Sequence, residues 1–337
     1  MRIIIPMAGM GKRMRPHTLV TPKPLVEFAG KPMVHHIVEE LAGTCNEPIE
    51  EIAFIIGNFG KKVEDELVAV AEQVGARGKI YYQDEPLGTA HAVLCAADSL
   101  DGKLIVAFAD TLFKADFVLD EEKDSVIWVQ QVDDPRAFGV VKLNTEGLIT
   151  DFVEKPQEFV SDLAIIGIYY FRDGQNLKKE LQYLIDNNIK EKGEFQLTNA
   201  LENMKSKGLS FVPGKVIEWL DCGNKNATVY THARWLDLGK EKFKLPSGLK
   251  RENSTIVEPC YIGKDVEITG SVVGPFVSVA DGTVIRNSVI RNSIIQKNTS
   301  IENSVIGNSM IGNSVVISNK MQDLSVGDYS VMTSGEE

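Results

Sequence analysis

The chain has 337 residues, 43% of them hydrophobic, with 36 Lys and Arg against 47 Asp and Glu for a formal charge of -11. That length exceeds one small core and predicts about two domains. The apolar content excludes a disordered chain, and the acidic balance argues against nucleic acid as a partner, which would need a basic stripe. Four cysteines, Cys45, Cys95, Cys222 and Cys260, lie far apart with no Cys-x-x-Cys pair. This disfavours a zinc centre or a disulfide framework and predicts reduced thiols in the cytoplasm. No apolar run approaches the length of a membrane span, and residues 3–5 are too short for a secretory core, so a soluble, unprocessed protein with no membrane partner is expected.

In chain order, short apolar runs at 3–6, 51–56, 80–83, 104–108, 125–129 and 164–171 read as strands. Amphipathic segments at 33–41, 61–74, 89–97, 177–187, 197–205 and 224–238 read as helices, with apolar residues near i, i+3 and i+4. Such alternation predicts an open α/β domain over 1–240, with ligands beyond the C-terminal ends of its strands. Residues 241–252 lose the alternation and read as a linker. From Ile285 onward, Ile285, Ile290, Ile295, Ile301, Ile306, Ile311 and Val316 recur at spacings of five or six, interleaved with Asn-Ser pairs beginning at 287, 292, 303, 308 and 313. That period suits neither a helix nor a hairpin. It predicts one short strand and one turn per repeat, stacked into a β-helix of about five or six coils. The second domain is expected over 253–325 and a tail over 326–337.

The run after the first strand carries chemistry. Gly9 and Gly11 let backbone N–H groups approach phosphate oxygens, while Arg13, Arg15 and Lys23 supply positive charge. A Walker loop is excluded because Pro6 stands where its first glycine belongs and Arg13 follows Lys12. A dinucleotide fingerprint is excluded because Met14 stands at its third glycine. Asp110, following an apolar strand, offers a hard oxygen ligand at a loop position.

The ordered set Gly9, Gly11, Arg13, then Pro22, Lys23, Pro24 and Leu25, then Lys31 and Pro32 resembles the signature of the sugar-1-phosphate nucleotidyltransferases. The resemblance implies a Rossmann-like nucleotidyltransferase domain with a mostly parallel sheet, followed by a left-handed parallel β-helix. It implies Mg²⁺ as cofactor and a nucleoside triphosphate and a sugar-1-phosphate as substrates. By the same resemblance Ala8, Gly9, Gly11, Gln83 and Gly88 bind the nucleotide, and Arg13, Lys23 and Lys155 serve catalysis. Asp110, with Ala109 in place of the family's glycine, and Asp221, within the Trp219 to Gly223 motif, hold the metal. Gly139, Glu154, Lys155, Ile165 and Tyr169 form the sugar-phosphate pocket, and Glu194 is structural or a pocket-side contact. Residues 83–92 look most like the glucose-1-phosphate branch using dTTP or UTP. Mannose-1-phosphate with GTP and a non-catalytic regulatory subunit are the alternatives. A histidine base, which acetyl transfer on a β-helix commonly needs, is missing beyond His232; the repeats are expected to serve homo-oligomer assembly or effector binding.

Overall fold

The computed structural model describes residues 1–115 and 119–320. The expected tail at 326–337, and the last residues of the expected second domain, lie outside them. Internal contacts divide the chain into one compact unit, Met1–Arg234, and a second that starts at Trp235.

In the first unit the strands Arg77–Tyr82, Glu51–Ile56, Arg2–Pro6 and Leu104–Ala107 lie side by side and parallel. Ile3, Ile4, Ile5 and all of residues 52–56 are buried, as strands covered on both faces require. The helices Met33–Thr44, Lys61–Gln73 and Thr89–Leu94 follow where the apolar periodicity places them. Leu163–Phe171 joins the sheet antiparallel to Leu104–Ala107, which ends that run of parallel strands. Beyond it, the hairpin of Gly139–Leu143 and Ile149–Glu154 continues one edge, while Ser125–Gln131 pairs antiparallel with both ends of the same long strand, 163–165 and 169–171, and parallel with Phe211–Gly214. The loops following Pro6, Tyr82 and Ala107 therefore leave the same edge of the parallel strands.

The second unit contains three parallel sheets of five, four and four strands. Ile268 pairs with Ile285, Ile285 with Ile301 and Ile301 with Ile317, steps of 17, 16 and 16 residues. These are the coils of the left-handed β-helix, each turn taking 16 or 17 residues. Asn253, Asn287, Asn292, Asn298, Asn303 and Asn308 all have positive φ, between 41° and 56°, which the short amide side chain tolerates at tight corners. The serines after them form a ladder: Ser288 N–H donates to Ser271 Oγ, and Ser304 N–H to Ser288 Oγ. One expected core position is corrected. Val316 is 76% exposed, and its neighbour Ile317 continues the buried column. The strand Lys250–Glu252, within the expected linker, already pairs with Glu267–Thr269 as the first rung.

Two buried histidines are built into the first unit. His36 stacks on Phe28 at 4.9 Å with its Nε2 3.0 Å from the Phe28 carbonyl, and His232 meets the same ring edge-on at 5.9 Å. Burial pushes His36 down to about 4 and His232 to about 3. Because both folded values lie below the ordinary value of 6.5, the stability is intact above pH 6.5 and is lost as pH falls. Urea unfolding at pH 7.5 and pH 5 should differ by about 2 kcal/mol per histidine. The double variant His36→Phe/His232→Phe should flatten that difference.

Candidate active site

The glycine loop begins as Met7 N–H donates to the Ile55 carbonyl at 2.8 Å, which ties it to the neighbouring strand. Gly11 has φ +57°, and a Cβ there would fall 2.9 Å from Lys23 Cβ and 3.1 Å from Thr18 Cγ2. Only glycine fits between the loop and the lysine segment. Gly9 differs: a Cβ on it would meet nothing within 4 Å. Both glycines, with Ala8, Arg13 and Lys23, line a cavity of about 520 Å³ whose far wall holds Gln83, Gly88, Asp110, Glu194 and Gly223.

Asp110 and Asp221 come together through a two-stranded ribbon that pairs Asp221 with Thr111, the residue after Asp110. Cys222 N–H donates to the Asp110 carbonyl at 3.1 Å and closes the ribbon's end. Lys23, only 7% exposed, donates from Nζ to Asp110 Oδ2 at 2.9 Å. Burial and the Asp110 carboxylate raise the proton affinity of Asp221, while Lys23, the Gly223 N–H at 2.9 Å and Arg13 oppose that shift. Arg13 Nη2 comes within 3.4 Å of the place a Gly223 Cβ would take. Asp110 thus lines the cavity with one buried lysine and one exposed arginine, and Asp221 lies within electrostatic reach of all three.

Among the residues expected to form the sugar-phosphate pocket, strand pairing sets Glu154 opposite Gly139. A Cβ on Gly139 would lie 3.1 Å from Glu154 Oε2 and 3.4 Å from Ile165 Cδ1, so these three predicted residues meet. Tyr169 is buried close enough that burial and the Glu154 charge both raise its pKa. Lys155 Nζ lies 3.5 Å from Glu154 Oε1, and its backbone has φ +44°, a costly conformation for a residue with a side chain. None of Gly139, Glu154, Lys155, Ile165 or Tyr169 lines the cavity at the glycine loop.

Three further residues, none assigned a site role from the sequence, contact the predicted site residues. Lys192 donates from Nζ to the carbonyls of Glu154 (3.1 Å) and Lys155 (2.6 Å). Thr198 Oγ1 donates to Glu154 Oε2 at 3.2 Å. His91 Nδ1 lies 3.2 Å from Gln83 Nε2. Lys192 and Thr198 flank Glu194, so proximity to that motif was the available signal. Gly88 also has a packing reason beyond ligand approach. Its φ is +119°, and a Cβ would sit 2.5 Å from the Phe195 carbonyl oxygen and 2.7 Å from the Phe195 nitrogen.

A family model described as "Nucleotidyl transferase" matches residues 2–239, and the chain belongs to that family. Over 314 residues it is 29% identical to a glucose-1-phosphate thymidylyltransferase of Streptomyces griseus, covering 86% of this chain and 85% of the relative. Over 180 residues it is 37% identical to a mannose-1-phosphate guanylyltransferase catalytic subunit beta of Drosophila pseudoobscura pseudoobscura. That match covers 50% of this chain and 47% of the relative, about half the length of each. Among solved structures, a protein described as a glucose-1-phosphate thymidylyltransferase from Bacillus anthracis superposes with a TM-score of 0.58 at 25% identity, covering 69% of this chain and 94% of that one.

The glycines make separable predictions for stability. Gly88→Ala should cost on the order of 3 kcal/mol or displace the loop, because the new atom meets backbone and the φ is unfavourable. Gly9→Ala should stay within about 0.5 kcal/mol of the parent protein. Thermal or urea unfolding of the two variants checks both.

Proposed function

We propose that this enzyme joins a nucleoside triphosphate, dTTP or UTP, to glucose-1-phosphate, releasing pyrophosphate and a nucleotide sugar. A phosphate oxygen of the sugar attacks the α-phosphorus, a new P–O bond forms, and the bond to the β-phosphate breaks with pyrophosphate leaving. The observation that carries this reading is the ion pair of Lys23 and Asp110 in the cavity lined by the glycine loop, with Asp221 close enough to feel both charges.

The donor set fits a divalent cation that arrives with its substrate. Among the described residues no group of three His, Cys, Asp or Glu forms a self-sufficient metal site. Two adjacent carboxylates whose charges disfavour one another suit Mg²⁺, with its remaining positions left to phosphate and water. When bound there by Asp110 and Asp221, Mg²⁺ screens the two polyanions and polarises the α-phosphate. Arg13 stands ready for the leaving pyrophosphate, Lys23 holds Asp110 and the triphosphate in place, and Lys155 grips the sugar phosphate. Gly9 has no packing need for its missing side chain, which supports close backbone approach to the nucleotide.

A second reading, mannose-1-phosphate with GTP, is favoured by the higher identity to the Drosophila subunit over half the chain. The regulatory-subunit reading is disfavoured because the sequence lacks none of the residues that the resemblance assigns to phosphate and metal.

Pyrophosphate release should require Mg²⁺ and one pairing from a panel of nucleoside triphosphates crossed with glucose-, mannose-, galactose- and N-acetylglucosamine-1-phosphate. Asp110→Asn, whose amide oxygen still accepts from Lys23, should lower kcat by at least about 100-fold while unfolding within about 1 kcal/mol of the parent. Silence across the panel from folded protein that binds nucleotide would favour the regulatory reading, and a fully active Asp110→Asn enzyme would remove the metal assignment.

A further inference from the structure

The base side of the cavity contains a hydrogen-bond arrangement that decides more than position. Gln83 Nε2 lies 3.3 Å from the Gly88 carbonyl oxygen and 3.2 Å from His91 Nδ1. A backbone carbonyl can only accept, so the amide atom facing it is the nitrogen. His91 must then accept at Nδ1 and carry its own hydrogen at Nε2. With both amide hydrogens directed at the protein, the Gln83 oxygen is the group left for a ligand, and Gln83 lines the cavity.

We propose that His91 is a positioning residue for base specificity: by accepting from Gln83 Nε2 it locks the amide with its oxygen toward the nucleotide. The site is thereby committed to bases whose ring nitrogen carries a hydrogen. This rests on the nucleotidyltransferase reading above and adds a specificity device to it. An oxygen acceptor matches the ring N–H of uracil, thymine or guanine. At the same ring position cytosine and adenine present a lone pair, which faces the amide oxygen without a proton between them. Without His91, the Gly88 carbonyl engages only one amide hydrogen at a long distance, and the amide can turn to offer its nitrogen instead.

Burial lowers the His91 pKa although the Glu85 carboxylate opposes this, so the ring is neutral near pH 7 and its Nδ1 lone pair is available. His91 lies in the helix Thr89–Leu94 and is half-buried, so substitution there leaves the catalytic carboxylates and lysines in place.

The test is calorimetric binding of two matched pairs, UTP against CTP and GTP against ATP, to the full-length protein and to His91→Leu and His91→Gln. The parent should prefer the N–H-bearing member of its better-bound pair by at least about tenfold. His91→Leu should reduce that preference at least about fivefold, and His91→Gln, whose amide oxygen can again accept, should restore it to within about twofold of the parent. A parent without that preference, a folded His91→Leu that keeps it, or a His91→Gln indistinguishable from His91→Leu would each overturn the role of His91. A parent that binds none of the four nucleotides would instead overturn the nucleotidyltransferase reading itself, and the inference with it.

Discussion

One backbone hydrogen bond, from Cys222 N–H to the Asp110 carbonyl, and one strand pair, Asp221 with Thr111, bring two carboxylates side by side. Everything else at the site answers that placement. Burial first, and then repulsion from the Asp110 carboxylate, raise the proton affinity of Asp221. Lys23 offsets part of it from a buried position, donating from Nζ to Asp110 Oδ2. A divalent cation accompanied by phosphate would relieve the remainder. The free energy of folding thus assembles an arrangement whose electrostatics are complete only with substrate present, the preorganisation that phosphoryl chemistry depends on.

A second constraint links the two halves of the site. The segment from Lys192 to Thr198 touches both the loop at 87–90 and the hairpin that ends in Glu154. The Phe195 backbone presses on Gly88 and exchanges hydrogen bonds with Leu87 and Ala90, at 2.8 and 2.9 Å. Thr89 Oγ1 accepts from Leu197 N–H at 2.9 Å. At its two ends the same segment holds the hairpin, through Lys192 on the carbonyls of Glu154 and Lys155 and Thr198 on the Glu154 carboxylate. Displacing this segment moves the walls of both subsites at once. The lack of a Cβ at Gly88 therefore matters for the sugar side as well as the base side.

Much of this was legible before any coordinates. The buried strands announced themselves as continuous apolar runs, because a strand covered on both faces has no polar side to show. Period-five to period-six aliphatics with asparagine between them can satisfy only a stacked coil, and the β-helix follows. What stayed hidden was local in sequence but non-local in cause. Thr111–Lys114 and Glu218–Asp221 are four residues each, too short for a periodic signal, and each is a strand only because the other exists. The Gly139–Leu143 and Ile149–Glu154 hairpin mixes polar and apolar positions for the same reason. At the end of the solenoid, Val316 and Ile317 are both aliphatic, and register with Ile301 chooses the second. Lys192 reads as one more surface lysine, since its partners are backbone carbonyls, which leave no mark in the sequence.

The central claim is that Asp110 and Asp221 together bind a divalent cation in company with the nucleotide. It is tested most directly by electron paramagnetic resonance of Mn²⁺ titrated into the protein with and without the nucleoside triphosphate that it binds. The account predicts weak Mn²⁺ binding to protein alone and a marked tightening once nucleotide is added. It also predicts that Asp110→Asn and Asp221→Asn each abolish the tightening while nucleotide still binds. Mn²⁺ bound equally well by the double variant Asp110→Asn/Asp221→Asn with nucleotide present would contradict it.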